Sequence, residues 1–287
     1  RSPSSFALVG LGQATLMDTD PARTEQNMAR WTFAGSVGIV LGSLVLAGAV
    51  SLDISWRWLF GAVGVGSLLV TLVFARVVQV PHSRGRSASW RLIRLGVFAA
   101  IKSMGRRAVA RWLILLGFSD MMLDVLLGFL ALYFVDVIGA SAAQAAVAVT
   151  VWSVVGLLGD LAIIPLIERV SGVTYLRIST ALTVVVFIAF MLTPMYVGAV
   201  VLLGVMGFLN AGWYSILQAR LYMTMPGRSG RVSAVGSLSY SFWAIVPLGV
   251  GALATVVGLE TAMWVLVVGP VAIFIGLPRE SKDDDSG

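Results

Sequence analysis

Asp120 and Asp124 are the residues of this chain best placed to do chemistry. They stand four apart inside a long apolar run, so on a helix they share one face, about 6 Å apart along the axis. Asp120 follows Arg111 by nine residues, which sets it ~14 Å into a hydrocarbon layer about 30 Å thick. Two charged carboxylates at that depth are costly, and such residues usually face a water-filled cavity or a partner. Repulsion between like charges makes it easier for one of them to hold a proton, which suits proton binding and release. The competing reading is an ion pair or hydrogen bond that only holds helices together.

A second polar group is Asn210, Tyr214 and Gln218, at four-residue intervals, with Trp213 beside them. Such a stripe on an apolar helix either lines a substrate cavity or bonds one helix to another. Tyr240 and Trp243, and Gln144 and Trp152, are further cavity candidates that packing would equally explain. Asp18, Arg23, Asp160, Glu168 and Arg169 gather towards one membrane face. Asp160 is also a candidate buried partner for Arg220. Other chemistry is excluded by composition. There is no cysteine, so there is neither a disulfide framework nor a thiolate metal site, and His82, the single histidine, lies in a basic loop. No metal or cofactor is expected.

The elements that must carry these residues are membrane helices. The 287-residue chain is 58% hydrophobic and 12% charged, about half the charged fraction of a soluble protein, and its mean hydropathy is +0.93. Eight apolar stretches are long enough to span a bilayer: Arg30–Val50, Arg57–Val78, Trp112–Val135, Ala142–Ile167, Val173–Thr193, Tyr196–Ala219, Val232–Val256 and Leu259–Leu277. The first apolar run, Ser4–Met17, is about 14 residues, too short for a span. It reads as the inner end of a helix whose start is lacking, and the chain as a fragment. Segments of this length are helical, because a helix satisfies its own backbone in lipid.

The arginines orient the bundle. If Asp18–Ala29 is cytoplasmic, alternation places Gln79–Arg111, Glu168–Gly172, Arg220–Arg231 and the tail inside, and these hold most of the cations. Only Arg1 and Arg57 fall outside, a consistent positive-inside pattern. The net charge of +6 is thereby a matter of topology, and no nucleic-acid partner is expected. Within Gln79–Arg111, Trp90, Ile93, Val97, Phe98 and Ile101 share a rough helical face, as an interfacial helix or part of a solvated basic linker.

One short pattern occurs twice. Pro21-Ala22-Arg23-Thr24, with Ala29 beyond it, matches Pro226-Gly227-Arg228-Ser229, with Ala234 beyond it, each at the tight turn of an apolar hairpin. A duplicated six-helix unit gives that spacing, and parallel repeats about an axis along the membrane normal are a known transporter design.

Together these features resemble the major facilitator superfamily. Asp18-x-x-Pro21-x-Arg23, followed by Ala29-Arg30-Trp31 and a glycine-rich helix, resembles its fourth-to-fifth helix hairpin. Trp56-Arg57-Trp58-Leu59-Phe60 resembles the motif that opens its sixth helix. Gly156-x-x-Gly159 leading to Glu168-Arg169-x-x-Gly172 resembles a degenerate copy of its cytoplasmic loop motif, between helices eight and nine. The resemblance runs the length of the chain, from late helix four to helix twelve. Helices one to three have no counterpart. The glycine-proline signature of antiporters is only partly kept: Gly38-x-x-x-Gly42 is present, but Ser43 stands for proline and Leu46-Ala47 for the glycine pair. Close helix packing through small residues explains these glycines equally well.

The expected fold is therefore all-α and membrane-embedded, a truncated bundle of that family. Residues 1–78 would be the remnant of an N-terminal bundle, 79–111 a basic cytoplasmic linker, 112–278 a C-terminal six-helix bundle and 279–287 a cytoplasmic tail. The resemblance implies a monomeric secondary transporter of small molecules in a bacterial cytoplasmic membrane, working by alternating access. Coupling to protons would come from Asp120 and Asp124, with drug or metabolite efflux as the direction. Asp18, Arg23, Asp160, Glu168, Arg169 and Arg220 would form ion pairs that latch the inner side. Two other classes stand against it: a membrane-embedded enzyme using Asp120-x-x-x-Asp124, and a non-transporting sensor on a transporter fold.

Overall fold

The computed structural model of the chain describes residues 12–13, 16–17, 23–51, 55–77, 98, 101–226 and 229–278. Every long regular element among them is helical, as a lipid environment requires. In chain order these are α1 (Thr24–Ser51), α2 (Trp56–Val77), α3 (Arg107–Asp136), α4 (Ala142–Leu166), α5 (Gly172–Met191), α6 (Tyr196–Met223), α7 (Gly230–Val257) and α8 (Leu259–Gly276). The last six are long and apolar enough to cross a membrane. They coincide with the expected spans, but α3 begins five residues earlier, at Arg107, and α6 runs on to Met223 rather than Ala219. Arginine stems can lie along apolar surface while the heads reach water, so the helix need not stop where the hydrocarbon does.

The chain forms two compact units. One joins residues 1–34 to 99–287, and the other is 35–98. The second contains the rest of α1 and all of α2. Its apolar side chains Ile39, Leu41, Val63, Leu68 and Val73 are exposed, as lipid-facing positions are. Added methyl groups at Gly35, Gly38 and Gly42 would meet nothing within 4 Å, so no described neighbour packs closely on these glycines.

The first unit holds the core. α4 packs along the first half of α6, α3 along its second half, and α8 against both α3 and α5. Glycines set the closest approach. A Cβ at Gly159 would lie 2.5 Å from the Ala211 Cβ, and one at Gly207 would lie 3.0 Å from the Trp152 carbonyl oxygen. Gly156 and Gly159 are thus packing residues on the α4–α6 seam, in the small-residue mode of membrane helices. At the Tyr133 end of α3 a ring cluster ties four helices together: Tyr133 to Phe190 at 5.3 Å, Phe134 to Tyr196 at 5.9 Å and Phe187 to Trp264 at 6.4 Å.

Four of these spans are not regular throughout. α3 widens into a π-helical turn at Met121–Val125. α6 breaks at Ala211 and Gly212, where Gly212 takes φ +78°, and resumes at Trp213. α7 is interrupted after Trp243 and restarts at Val246, next to Pro247. α8 tightens to a 3₁₀ turn at Trp264–Val267. Irregular backbone at membrane depth survives only where it is buried in protein or lines a cavity.

Several expectations lie outside the described residues. These are Asp18, the Pro21 and Arg228 sides of the repeated pattern, Trp90, Ile93 and Val97 of the linker, and the tail from 279.

Candidate functional site

Asp120 immediately precedes the π turn of α3, and Asp124 lies within it. A π turn advances less per residue than an α turn, yet positions four apart still fall on nearly the same side. The pair is therefore kept together across the irregular step. Asp120 lies 13 residues from the start of the 30-residue span and 16 from its end, at its middle. It is half-buried, whereas Asp124 is exposed on the unit's surface.

The turn is held from two sides. On α8, a Cβ at Gly269 would come within 2.9 Å of the Phe118 carbonyl oxygen and 3.5 Å of the Met121 Cβ. On α7, the Trp243 indole occupies the space where a Gly117 side chain would begin, and meets Phe118 edge-on at 5.1 Å. Gly117, Asp120 and Asp124 follow at i, i+3 and i+7 along one face. Trp243, an expected cavity residue, thus sits at the Gly117 end of the line of acids.

The break in α6 gathers a second polar group. Gly212 donates its N–H to Asp160 Oδ1 at 3.4 Å. Tyr175 on α5 donates its hydroxyl to the Ala211 carbonyl at 2.8 Å, and reaches the Leu209 carbonyl at 3.3 Å. Backbone groups that an unbroken helix would pair within itself are satisfied by side chains of α4 and α5. Gly212 is required here on two counts. Its φ is left-handed, and a Cβ would lie 2.7 Å from Ile163 Cγ1. Just before the break, Asn210 is buried and accepts from Thr183 Oγ1 at 3.2 Å. The Asn210 Nδ2 group is buried with no hydrogen-bond partner.

The break also separates residues expected to line one cavity. Asn210, Tyr214 and Gln218 are not one continuous stripe, because the left-handed residue re-aims the helix between the first and the other two. Trp213 is fully buried and donates Nε1–H to Ser179 Oγ at 2.9 Å, so it packs within the unit. Gln144 closes a capping box with Ser141 at the start of α4, a local duty that explains it without a ligand. Trp152 is buried on the α4–α6 seam against Gly207. Tyr240 is exposed. Asp160 is buried at the α6 break, not on the inner face with Glu168 and Arg169.

At the Arg220 end of α6 the start of α1 meets α4, α5 and α6. Glu25 Oε1 lies 2.6 Å from Arg220 Nε, with side chains 12% and 26% exposed. Arg220 is eight residues past Gly212, ~12 Å along the helix, and its partner is Glu25 rather than Asp160. The Glu25 carboxylate sits over Gly172, where a Cβ would come within 2.8 Å of Oε2. Gly172 opens α5, whose Ser171 cap accepts from Thr174 N–H, so the carboxylate also faces the positive end of a helix dipole. Gln26 Nε2 approaches Glu168 Oε1 at 3.5 Å, and Tyr222 donates to buried Gln13 at 3.3 Å. Arg23 and Arg169 are exposed beside this group.

Sequence reading overlooked two of these residues. Glu25 is a first-turn acid, easily taken for helix-start chemistry alone. The signal for it was Arg220, a cation at the end of a span that needs a partner. Arg177, also within a span, donates Nη2–H to the Pro278 carbonyl at 2.8 Å and so closes the end of α8.

The sequence profile described as Major Facilitator Superfamily matches residues 6–248. No curated relative matches the chain by sequence. Among solved structures, the chain is similar to a variant of the E. coli fucose:proton symporter FucP, with TM-score 0.73 and 15% identity, over 94% of this chain and 72% of that one. It is also similar to FucP in an outward conformation, with TM-score 0.71 and 17% identity, over the same shares.

Proposed function

The chain belongs to the Major Facilitator Superfamily; it is a multi-pass membrane protein and a secondary transporter of small molecules rather than an enzyme, and from that premise we propose that its transport is driven by protons taken up at Asp120 and Asp124. The observation that carries this reading is the acid pair at the π turn in the middle of α3, Asp120 just before it and Asp124 within it. Charge at that depth is expensive unless it is exchanged or compensated. One acid is half-buried and the other exposed, so the two carboxylates differ in access to water and will titrate as a coupled pair. π turns recur at functional sites, where they displace side chains from the regular helical array.

The inner contacts of Glu25, Gln26 and Gln13 supply the other half of the mechanism. They join the start of α1, and Gln13 before it, to the inner ends of α4, α5 and α6, and would hold the inner side closed while the outer side is open. Opening inward then requires the Glu25–Arg220 pair to part. Alternating access follows when protonation and substrate shift the balance between the two states by their differential affinity.

The test is pH-gradient-driven flux in proteoliposomes, paired with equilibrium binding of a substrate found by screening. Asp120→Asn and Asp124→Asn are expected to abolish gradient-driven flux while substrate binding persists. Normal gradient-driven flux in both variants would place coupling elsewhere.

A further inference from the structure

At the inner end of the first unit, α3 and α8 part to leave a cavity of about 700 Å³, within the range of about 300–1,000 Å³ for small-ligand pockets. One charged residue lines it, Arg111, on the second turn of α3; the rest of its wall is apolar, including Ile114, Phe118, Ala272 and Ile275, and Pro278 borders it just past the end of α8. Ile114 and Ile275 are 51% and 76% exposed, so the cavity is open along its side. No acid lines it, and Arg111 has no ion-pair partner among the described residues. Arg107 precedes Arg111 by four residues, on the same helix face, and is also exposed. The start of α3 carries no side-chain cap, so its unpaired N–H groups add positive potential at the same level.

We propose that this cavity binds an acidic phospholipid of the inner leaflet. The headgroup phosphate would lie against Arg111 and Arg107, and an acyl chain would run along Ile114 and Ile275 towards Phe118. The reasoning is one of matched chemistry at matched depth. A cationic mouth at the membrane surface leads into an apolar slot, and an anionic lipid has its phosphate and its chains in that order. Basic pockets between spans on the cytoplasmic side recognise lipid headgroups in this way. A free anion would use the arginines but gain nothing from the slot, and a neutral lipid would use the slot but not the arginines.

The two parts of the site can be tested separately. The purified chain is examined by native mass spectrometry with dioleoyl phosphatidylglycerol or dioleoyl phosphatidylcholine added. The wild type is expected to retain one phosphatidylglycerol in preference to phosphatidylcholine. Arg111→Gln should weaken phosphatidylglycerol retention roughly fivefold and leave phosphatidylcholine unchanged. Ile275→Trp, which fills the slot and keeps both arginines, should reduce retention of both lipids. Arg57→Gln, on a different helix, should match the wild type, and circular dichroism confirms that each variant is folded. Equal retention of the two lipids by the wild type, or undiminished phosphatidylglycerol in both cavity variants, overturns the proposal. Displacement of the lipid by millimolar glycerol 3-phosphate would reduce the site to an anion site. If only a chain lacking residues 279–287 binds lipid, the acidic tail is the occupant and the lipid reading fails.

Discussion

Glu25→Gln isolates one charge at the inner contact. The wild-type pair is separated by 2.6 Å, which corresponds to about 6 kcal/mol of Coulomb attraction at an effective dielectric of about 20. Desolvation offsets much of that. Exposed pairs are worth about 0.2–1 kcal/mol net, and removing one partner of a fully buried pair costs about 3–5 kcal/mol. With Glu25 12% and Arg220 26% exposed, the pair lies between these cases. We expect a loss of about 2 kcal/mol, or roughly thirtyfold in the closed-to-open ratio of the inner side. The chain has no cysteine, so a single introduced thiol is a clean reporter. Ile216 is fully buried, four residues before Arg220, and packs against Gly172. In an Ile216→Cys background, labelling by a water-soluble maleimide from the inner side should accelerate by at least tenfold on Glu25→Gln. Arg220→Gln should do the same, and the double variant should show little further effect, as a coupled pair requires. Unchanged labelling in either single variant, or strictly additive effects in the double variant, would refute the latch.

Other positions give sharper contrasts in stability than in transport. Gly159→Ala should destabilise by about 1–3 kcal/mol through overpacking against Ala211, whereas Gly128→Ala, where nothing lies within 4 Å, should be neutral or slightly stabilising; thermal unfolding in detergent compares them. Tyr175→Phe removes the donor to the Ala211 carbonyl and should cost about 1 kcal/mol, read by the same assay. Gly212→Ala should cost more, because a left-handed φ and contact with Ile163 act together. Gly117→Val should expel the Trp243 indole from α3 and shift tryptophan emission, while Gly236→Val on the open side of α7 should leave it unchanged.

The amino-acid sequence by itself determined the helical membrane fold, the number and order of the later spans and the level of Asp120 within one of them. These properties follow from composition summed over about 20 residues, where the cost of unpaired backbone in lipid leaves no alternative to a helix. The arginines likewise set an expected orientation, because that signal is spread along the whole chain. Spacing also kept Asp120 and Asp124 on one face, since a four-residue interval survives even a π turn.

The partners were decided by tertiary structure. Arg220 could have paired with Asp160 on sequence grounds, as both are charges of opposite sign on apolar spans. The break at Gly212 assigns Asp160 to a backbone N–H instead, and the turn of α1 brings in Glu25 from about 195 residues away in the chain. The same break divides Asn210 from Tyr214 and Gln218, because one left-handed residue turns the helix face that regular periodicity would have kept. Gln144 and Trp152 look alike as cavity candidates in a linear chain, yet one caps a helix and the other fills a seam against a glycine. Polar residues on apolar helices are ambiguous in sequence for a single reason: a buried polar group must find some partner, and only the packing of neighbouring helices says which.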